Sequence, residues 1–213
     1  MSDSMEKMLG YSYFFQPPKQ AGGTIFVTLH TVGGTEHDLV HAVEMIDENA
    51  GILSPLGKIE EDGKHRFFNH ERDGLLDEEE IKPIAKELVQ FMNKVSDEKN
   101  FSREQLVWMG QSNGANLISS IMLLYPEVIR KAALLRPRIT LVPTNLPSFA
   151  DVYVLLAVGK QDEVVTQESN EKLIRLFQQC GAVVELFQNE ATHELNEEDF
   201  AVVQRWYQKN RKK

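Results

Sequence analysis

Two kinds of apolar pattern alternate along the chain. Short β-branched runs at Tyr11–Phe15, Thr24–Leu29, Gly51–Leu53, Gln105–Met109, Ala132–Leu135, Val152–Val158 and Val183–Phe187 predict strands. Between them, apolar residues return every three or four positions. Ile81, Ile84, Ala85, Leu88, Val89 and Met92 form such a stripe, with Glu78, Glu79 and Glu80 leading in where a helix N-terminus favours negative charge. Asn116–Leu124, Gln167–Gln179 and Glu197–Gln208 read as helices by the same spacing, and Cys180-Gly181 supplies a stop after Gln179. Strands that are apolar nearly throughout, separated by helices, predict the α/β class: a mostly parallel sheet covered by helices on both faces. Pro and Gly clusters are short and no repeat interrupts the pattern, so residues 1–213 read as one domain.

Composition narrows the partners. Asp and Glu outnumber Lys and Arg, 32 to 23, for a formal charge of −9. A surface of that sign does not attract nucleic acid or anionic lipid over distance. The closing Lys209-Asn210-Arg211-Lys212-Lys213 is basic, as the last turn of a helix and a terminus tolerate. Met1–Leu9 is polar and reads as neither signal peptide nor membrane anchor, so a soluble protein is expected. A single cysteine, Cys180, excludes an intrachain disulfide and a Cys-based zinc site, and suits a reducing, cytoplasmic compartment. Cys180 itself reads as a small buried filler. The oligomeric state is not determined by the sequence, and a homodimer stays open.

Sheets of this class carry their chemistry in loops at the carboxyl ends of the strands. Gln105–Met109 runs directly into Gly110-Gln111-Ser112-Asn113-Gly114, and a helical pattern follows at once. Strand, G-x-S-x-G, helix is the signature of a nucleophile elbow, a tight turn whose glycines are needed because a Cβ there would strike neighbouring backbone. A serine hydroxyl needs a base, and in this architecture acid and histidine follow the serine in that order. Asp162 lies just past Val152–Val158, with Glu163 beside it as a rival acid. His193 lies past Val183–Phe187, and of six histidines it alone is downstream of both Ser112 and Asp162. Asp162 also suits a turn or a helix cap before Thr166.

Upstream, Thr24–Leu29 ends in His30-Thr31-Val32-Gly33-Gly34, where the second amide of an oxyanion hole is expected. The donors would be the main-chain N–H groups of Val32 and Asn113. The plainer use of the two glycines is a turn before a helix opened by Asp38. His30 and Thr31 on this turn, and Phe67 and Phe68 in the polar stretch Lys58–Asp73, are candidates to line the substrate pocket, with packing beneath the loop as the alternative for the two aromatics. His37 and His41 stand four apart but lack the H-E-x-x-H pattern, and no metal is assigned there.

Together these residues resemble the small phospholipase/carboxylesterase branch of the α/β-hydrolase family, relatives of acyl-protein thioesterases and of dienelactone-hydrolase-like esterases. Leu29-His30-Thr31-Val32-Gly33-Gly34 is similar to the branch's L-H-G-x-G-G turn, and Arg66-Phe67-Phe68 with Gly74-Leu75-Leu76-Asp77-Glu78 to its R-F-F and G-x-x-D-E segment. Gly110 through Asn116 resembles the G-x-S-N-G-A-N elbow, while Gly159 with Asp162 and Thr192-His193-Glu194-Leu195 resemble the acid and histidine loops. The resemblance implies a serine hydrolase of small carboxylic esters or thioesters. Ser112 would be the nucleophile, His193 the base, Asp162 its partner and Val32 and Asn113 the oxyanion donors, with no cofactor.

Two positions depart from the pattern. Thr31 replaces a glycine, which is expected to reshape or weaken the oxyanion turn. Glu194 places a carboxylate beside the base, where it would raise the base's pKa or narrow the leaving-group side. Little chain lies between Ala132–Leu135 and Val152–Val158, so no large lid is expected, and substrates should be modest in size. Two other readings stay open: a non-catalytic ligand-binding protein that keeps the hydrolase fold, and a lactone or carbon–carbon hydrolase of aromatic-compound breakdown.

Overall fold

A computed structural model describes residues 5–69 and 78–213. Its central sheet begins with β1 (Glu6–Met8) and β2 (Tyr11–Gln16), followed by β3 (Ile25–Leu29), helix α1 (Val40–Ile46) and β4 (Gly51–Pro55). A small hairpin, β5 (Ile59–Glu61) and β6 (Lys64–Arg66), stands apart from the sheet. Then come α2 (Glu78–Lys99), β7 (Leu106–Gln111), α3 (Asn113–Leu124), β8 (Lys131–Leu135), β9 (Tyr153–Gly159), α4 (Gln167–Gln179), β10 (Val183–Asn189) and α5 (Glu197–Asn210). The sheet order is β1-β2-β4-β3-β7-β8-β9-β10. The first two pairings are antiparallel, and every pairing from β4 through β10 is parallel.

Successive side chains of a strand point to opposite faces, and here both faces are covered. On one face Ile25, Val27 and Leu29 of β3, Trp108 of β7, Leu134 of β8 and Leu156 of β9 pack with Ile81, Leu88 and Phe91 of α2, Ile118 and Ile121 of α3, and Leu173 and Phe177 of α4. On the other, Phe26, Val107, Met109, Ala133 and Leu155 meet Ala42, Val43 and Ile46 of α1 and Val203, Trp206 and Tyr207 of α5. This two-sided burial is why the strands read as unbroken apolar runs. At the sheet's edge β10 leaves Val183 and Leu186 about half exposed.

The expected stop after Gln179 is built as read. Gly181 takes φ +92°, and its N–H and that of Ala182 donate to Gln178 and Phe177 carbonyls. Two elements differ from expectation. Asp38 does not open a helix: α1 starts at Val40, and the Asp38 carboxylate accepts from Thr35 Oγ1 in the preceding turn. The hairpin β5–β6 occupies part of what reads as a polar loop, its turn made by Asp62 and Gly63 at positive φ. Gly74–Asp77 and His70 lie outside the described residues. Among the described residues no helix is long and apolar enough to cross a membrane.

Candidate active site

The elbow between β7 and α3 is a product of close packing. A Cβ on Gly110 would lie 2.7 Å from Ala115 N, and one on Gly114 only 2.2 Å from Leu29 O. Neither position admits a side chain, and the second contact presses the start of α3 against the end of β3, where the His30–Gly34 turn begins. Between the glycines Ser112 is held at φ 49°, ψ −111°, a conformation that costs a non-glycine residue about 1–3 kcal/mol. Its N–H donates to Leu135 O and its carbonyl accepts from Asn116 N, so the ends of β8 and α3 enforce the strain.

Ser112 occupies the N-cap of α3, where serine ordinarily accepts a hydrogen bond from an amide of the first turn. It makes no such bond. Its Oγ instead lies 3.0 Å from His193 Nε2. The other ring nitrogen, His193 Nδ1, donates to Asp162 Oδ2 at 2.9 Å, which assigns the tautomer and leaves Nε2 to accept from the serine hydroxyl. The Asp162 side chain is 1% exposed. Its other oxygen accepts from the Val164 and Val165 amides, both at 2.8 Å, so Asp162 opens its turn and orients the imidazole at once. Thr166, not Asp162, caps α4. The acid and histidine loops meet because Gly159 lacks a side chain: a Cβ there would stand 2.2 Å from Ala191 O.

Sequence reasoning missed Arg136. It follows β8 directly, adopts φ +53°, and its side chain is wholly buried. The guanidinium binds both oxygens of Asp199 at 2.9 and 2.7 Å, and it also donates to the carbonyls of Ala157, Thr192 and Glu194. A buried arginine immediately after an apolar strand has no periodic signature, and its acid lies 63 positions away.

On the opposite side of Ser112 the expectations need correction. His30 is 1% exposed and does not stand in a cleft. Nε2 accepts from Gly57 N–H at 2.9 Å and Nδ1 donates to Thr31 O, so both nitrogens are spent on backbone. Burial holds its pKa below the ordinary histidine value, with the bond to Thr31 O opposing the shift. Phe67 and Phe68 are buried in the core and not in an open pocket, because the hairpin turns the chain inward there. The Asn113 side chain fastens them: Oδ1 accepts from Phe67 N–H at 2.9 Å and Nδ2 donates to Phe68 O at 3.1 Å. His65 completes the support, donating from Nδ1 to Gly57 O while its carbonyl accepts from Gly33 N–H.

Of the four pocket candidates, Thr31 is only half-buried, beside Val32, which is 45% exposed. Thr31 is not among the residues at positive φ, so the turn itself does not require a glycine there. The Val32 and Asn113 amides have no acceptor among the described residues. Glu194 is exposed, and only its backbone is engaged, with Thr192 Oγ1 and Arg136.

Past the Asp162 turn lies a groove of about 680 Å³ lined by Ile139, Val142, Val164 and Leu176 together with charged Arg138, Glu163, Glu168, Lys172 and Arg175. His37 and His41 do not converge: they lie against different carboxylates, Glu36 and Glu44, and His37 precedes α1. Cys180 is buried, which raises its thiol pKa.

No family model matches the chain. It is 30% identical over 189 residues to a Bacillus subtilis (strain 168) protein described as a hydrolase, MhqD, covering 89% of this chain and 94% of that one. Among solved structures, a carboxylesterase from Bacillus cereus superposes with a TM-score of 0.89 at 30% identity, covering 94% of each chain. A carboxylesterase from Mesorhizobium loti superposes at 0.88 with 25% identity, covering 96% of this chain and 98% of its own. A shared framework over nine-tenths of the length, at this identity, places the chain in the α/β-hydrolase family, within its small carboxylesterase branch.

Proposed function

We propose that this protein is a serine esterase that hydrolyses small carboxylic esters or thioesters through an acyl-enzyme on Ser112. The observation that carries the proposal is the hydroxyl of Ser112. At a helix N-cap it declines the amides beside it and faces His193 Nε2 at 3.0 Å, with Asp162 behind the imidazole at 2.9 Å.

As Ser112 Oγ attacks the carbonyl carbon, its proton passes to His193 Nε2, and Asp162 stabilises the imidazolium so formed. The carbonyl π electrons move onto oxygen, and the Val32 and Asn113 amides receive that charge. Collapse of the tetrahedral adduct breaks the bond to the leaving group, which departs with the proton from Nε2. Water then enters, gives a proton to the same nitrogen and attacks the acyl carbon, and that proton passes from Nε2 to Ser112 Oγ as the acyl–oxygen bond breaks and the acid is released. No step requires a cofactor. The acidic surface and a single, buried cysteine favour the cytoplasm.

The test is hydrolysis of p-nitrophenyl acetate and butyrate by wild type and Ser112→Ala, with fluorophosphonate labelling of the same samples. Turnover and labelling in the wild type, both lost in the variant, are expected. A wild type that neither turns over nor labels would overturn the proposal in favour of a ligand-binding protein on this fold.

A further inference from the structure

We infer that Arg136 is the positioning residue of His193, and that the buried Arg136–Asp199 pair serves to hold the histidine loop against the elbow. The inference rests on the esterase reading above.

An arginine carries five N–H donors in a rigid fork. All five of Arg136 are used. Two go to the Asp199 carboxylate, one to Ala157 O at the end of β9, and two to the carbonyls of Thr192 and Glu194, at 2.9 and 3.1 Å. Thr192 and Glu194 are the residues on either side of His193. The peptide units that carry the imidazole are therefore gripped from below, while its ring bridges Ser112 and Asp162 above. Asp199 ties the same fork to α5, since its Oδ2 also accepts from Asn196 N–H at 2.9 Å, and α5 is anchored in the core by Val203 and Trp206. Arg136 itself joins the frame through its N–H, which donates to Ala157 O at 2.8 Å. One side chain thus links β8, β9, the histidine loop and α5.

Stability alone is a poor account of this arrangement. Burying an ion pair gains little over well-packed apolar side chains of similar volume, because desolvation offsets the attraction. Arg136 is also held at a positive φ, a strain that persists where surrounding structure has a use for it. An apolar pair would fill the same space but could not bond the Thr192 and Glu194 carbonyls. The histidine loop would then be free to shift by amounts that matter for proton transfer.

The experiment compares wild type, Arg136→Lys and the double variant Arg136→Met/Asp199→Leu, which removes both charges together and leaves neither stranded. Urea melts establish folding. In the folded double variant kcat should fall about 100-fold with KM little changed, and fluorophosphonate labelling should slow by the same factor. Arg136→Lys keeps the charge but not the fork, and should lose about tenfold. The far-downfield proton resonance of the His193 Nδ1–H···Asp162 bond should be sharp in wild type and lost in the double variant. A folded double variant, or a folded Arg136→Lys, with wild-type kcat and this resonance intact would overturn the inference. Because the resonance is read without turnover, an inactive wild type would sink the esterase reading while the resonance still decided the role of Arg136.

Discussion

Replacing Gly159 by alanine should disable the site from behind without touching a reacting group. The added Cβ would stand 2.2 Å from Ala191 O and 2.6 Å from Thr192 O, both backbone atoms with no flexible end to swing aside. Relief to 3.0 Å, the limit for such contacts, needs a retreat of about 0.8 Å by the two peptides just before His193. The Ala191 carbonyl accepts from Gln161 N–H at 3.1 Å and the Thr192 carbonyl from Arg136 Nε at 2.9 Å, so the same retreat strains both bonds. Overpacking of this kind costs about 1–3 kcal/mol. Two weakened hydrogen bonds add about 0.5–1.5 kcal/mol each.

A shift of that size carries Nε2 beyond hydrogen-bonding distance of Ser112 Oγ, now 3.0 Å away, and kcat should drop about 100-fold. Steady-state p-nitrophenyl ester hydrolysis, with urea midpoints on the same samples, measures both effects. Gly22→Ala is the control. That glycine sits at φ +76° with nothing within 4 Å, so alanine there should lower stability by about 1 kcal/mol and leave kcat alone. A folded Gly159→Ala enzyme with kcat within about twofold of wild type would refute the coupling between the β9 terminus and the histidine loop.

Asn113→Ala removes the clamp on Phe67 N–H and Phe68 O but keeps the Asn113 amide. Leaving the buried Phe67 N–H without its acceptor should cost about 1–3 kcal/mol, read by urea melts, and slow turnover as the oxyanion turn loses its support. Because burial depresses the His30 pKa, the unfolded chain binds more protons there than the native protein below the ordinary value of 6.5. The His30 contribution is therefore complete above that pH and declines as pH falls below it, and His30→Gln, which keeps an acceptor for Gly57 N–H, should flatten this part of the stability profile. Cys180, buried and with its thiol pKa raised, should resist iodoacetamide in the native state and react once urea unfolds the chain.

Much of this molecule is legible in one dimension. The inner strands lie between two helical layers, so both faces are apolar and each strand stands out as an unbroken run. Ser112 is legible because the elbow is local: the glycines that permit it sit two residues to either side, although what they avoid includes a distant strand, at Leu29 O. Asp162 and His193 follow from chain order, which a parallel sheet translates into neighbouring strand ends. The pocket candidates show the limit of such reading. His30, Phe67 and Phe68 have the chemistry of a binding wall, and nothing local distinguishes that use from burial. The hairpin turns the two aromatics inward, and Gly57 and Thr31 consume the imidazole.

Arg136 marks the boundary most clearly. The sequence determined which segments form strands and helices and where the glycine-flanked serine turn falls, since these depend on periodicity and on steric limits within a few residues. Only the tertiary structure decided what holds the histidine in place. A buried charge takes its role from its partners, and those of Arg136 come from β9, the histidine loop and α5, brought together only when the sheet assembles.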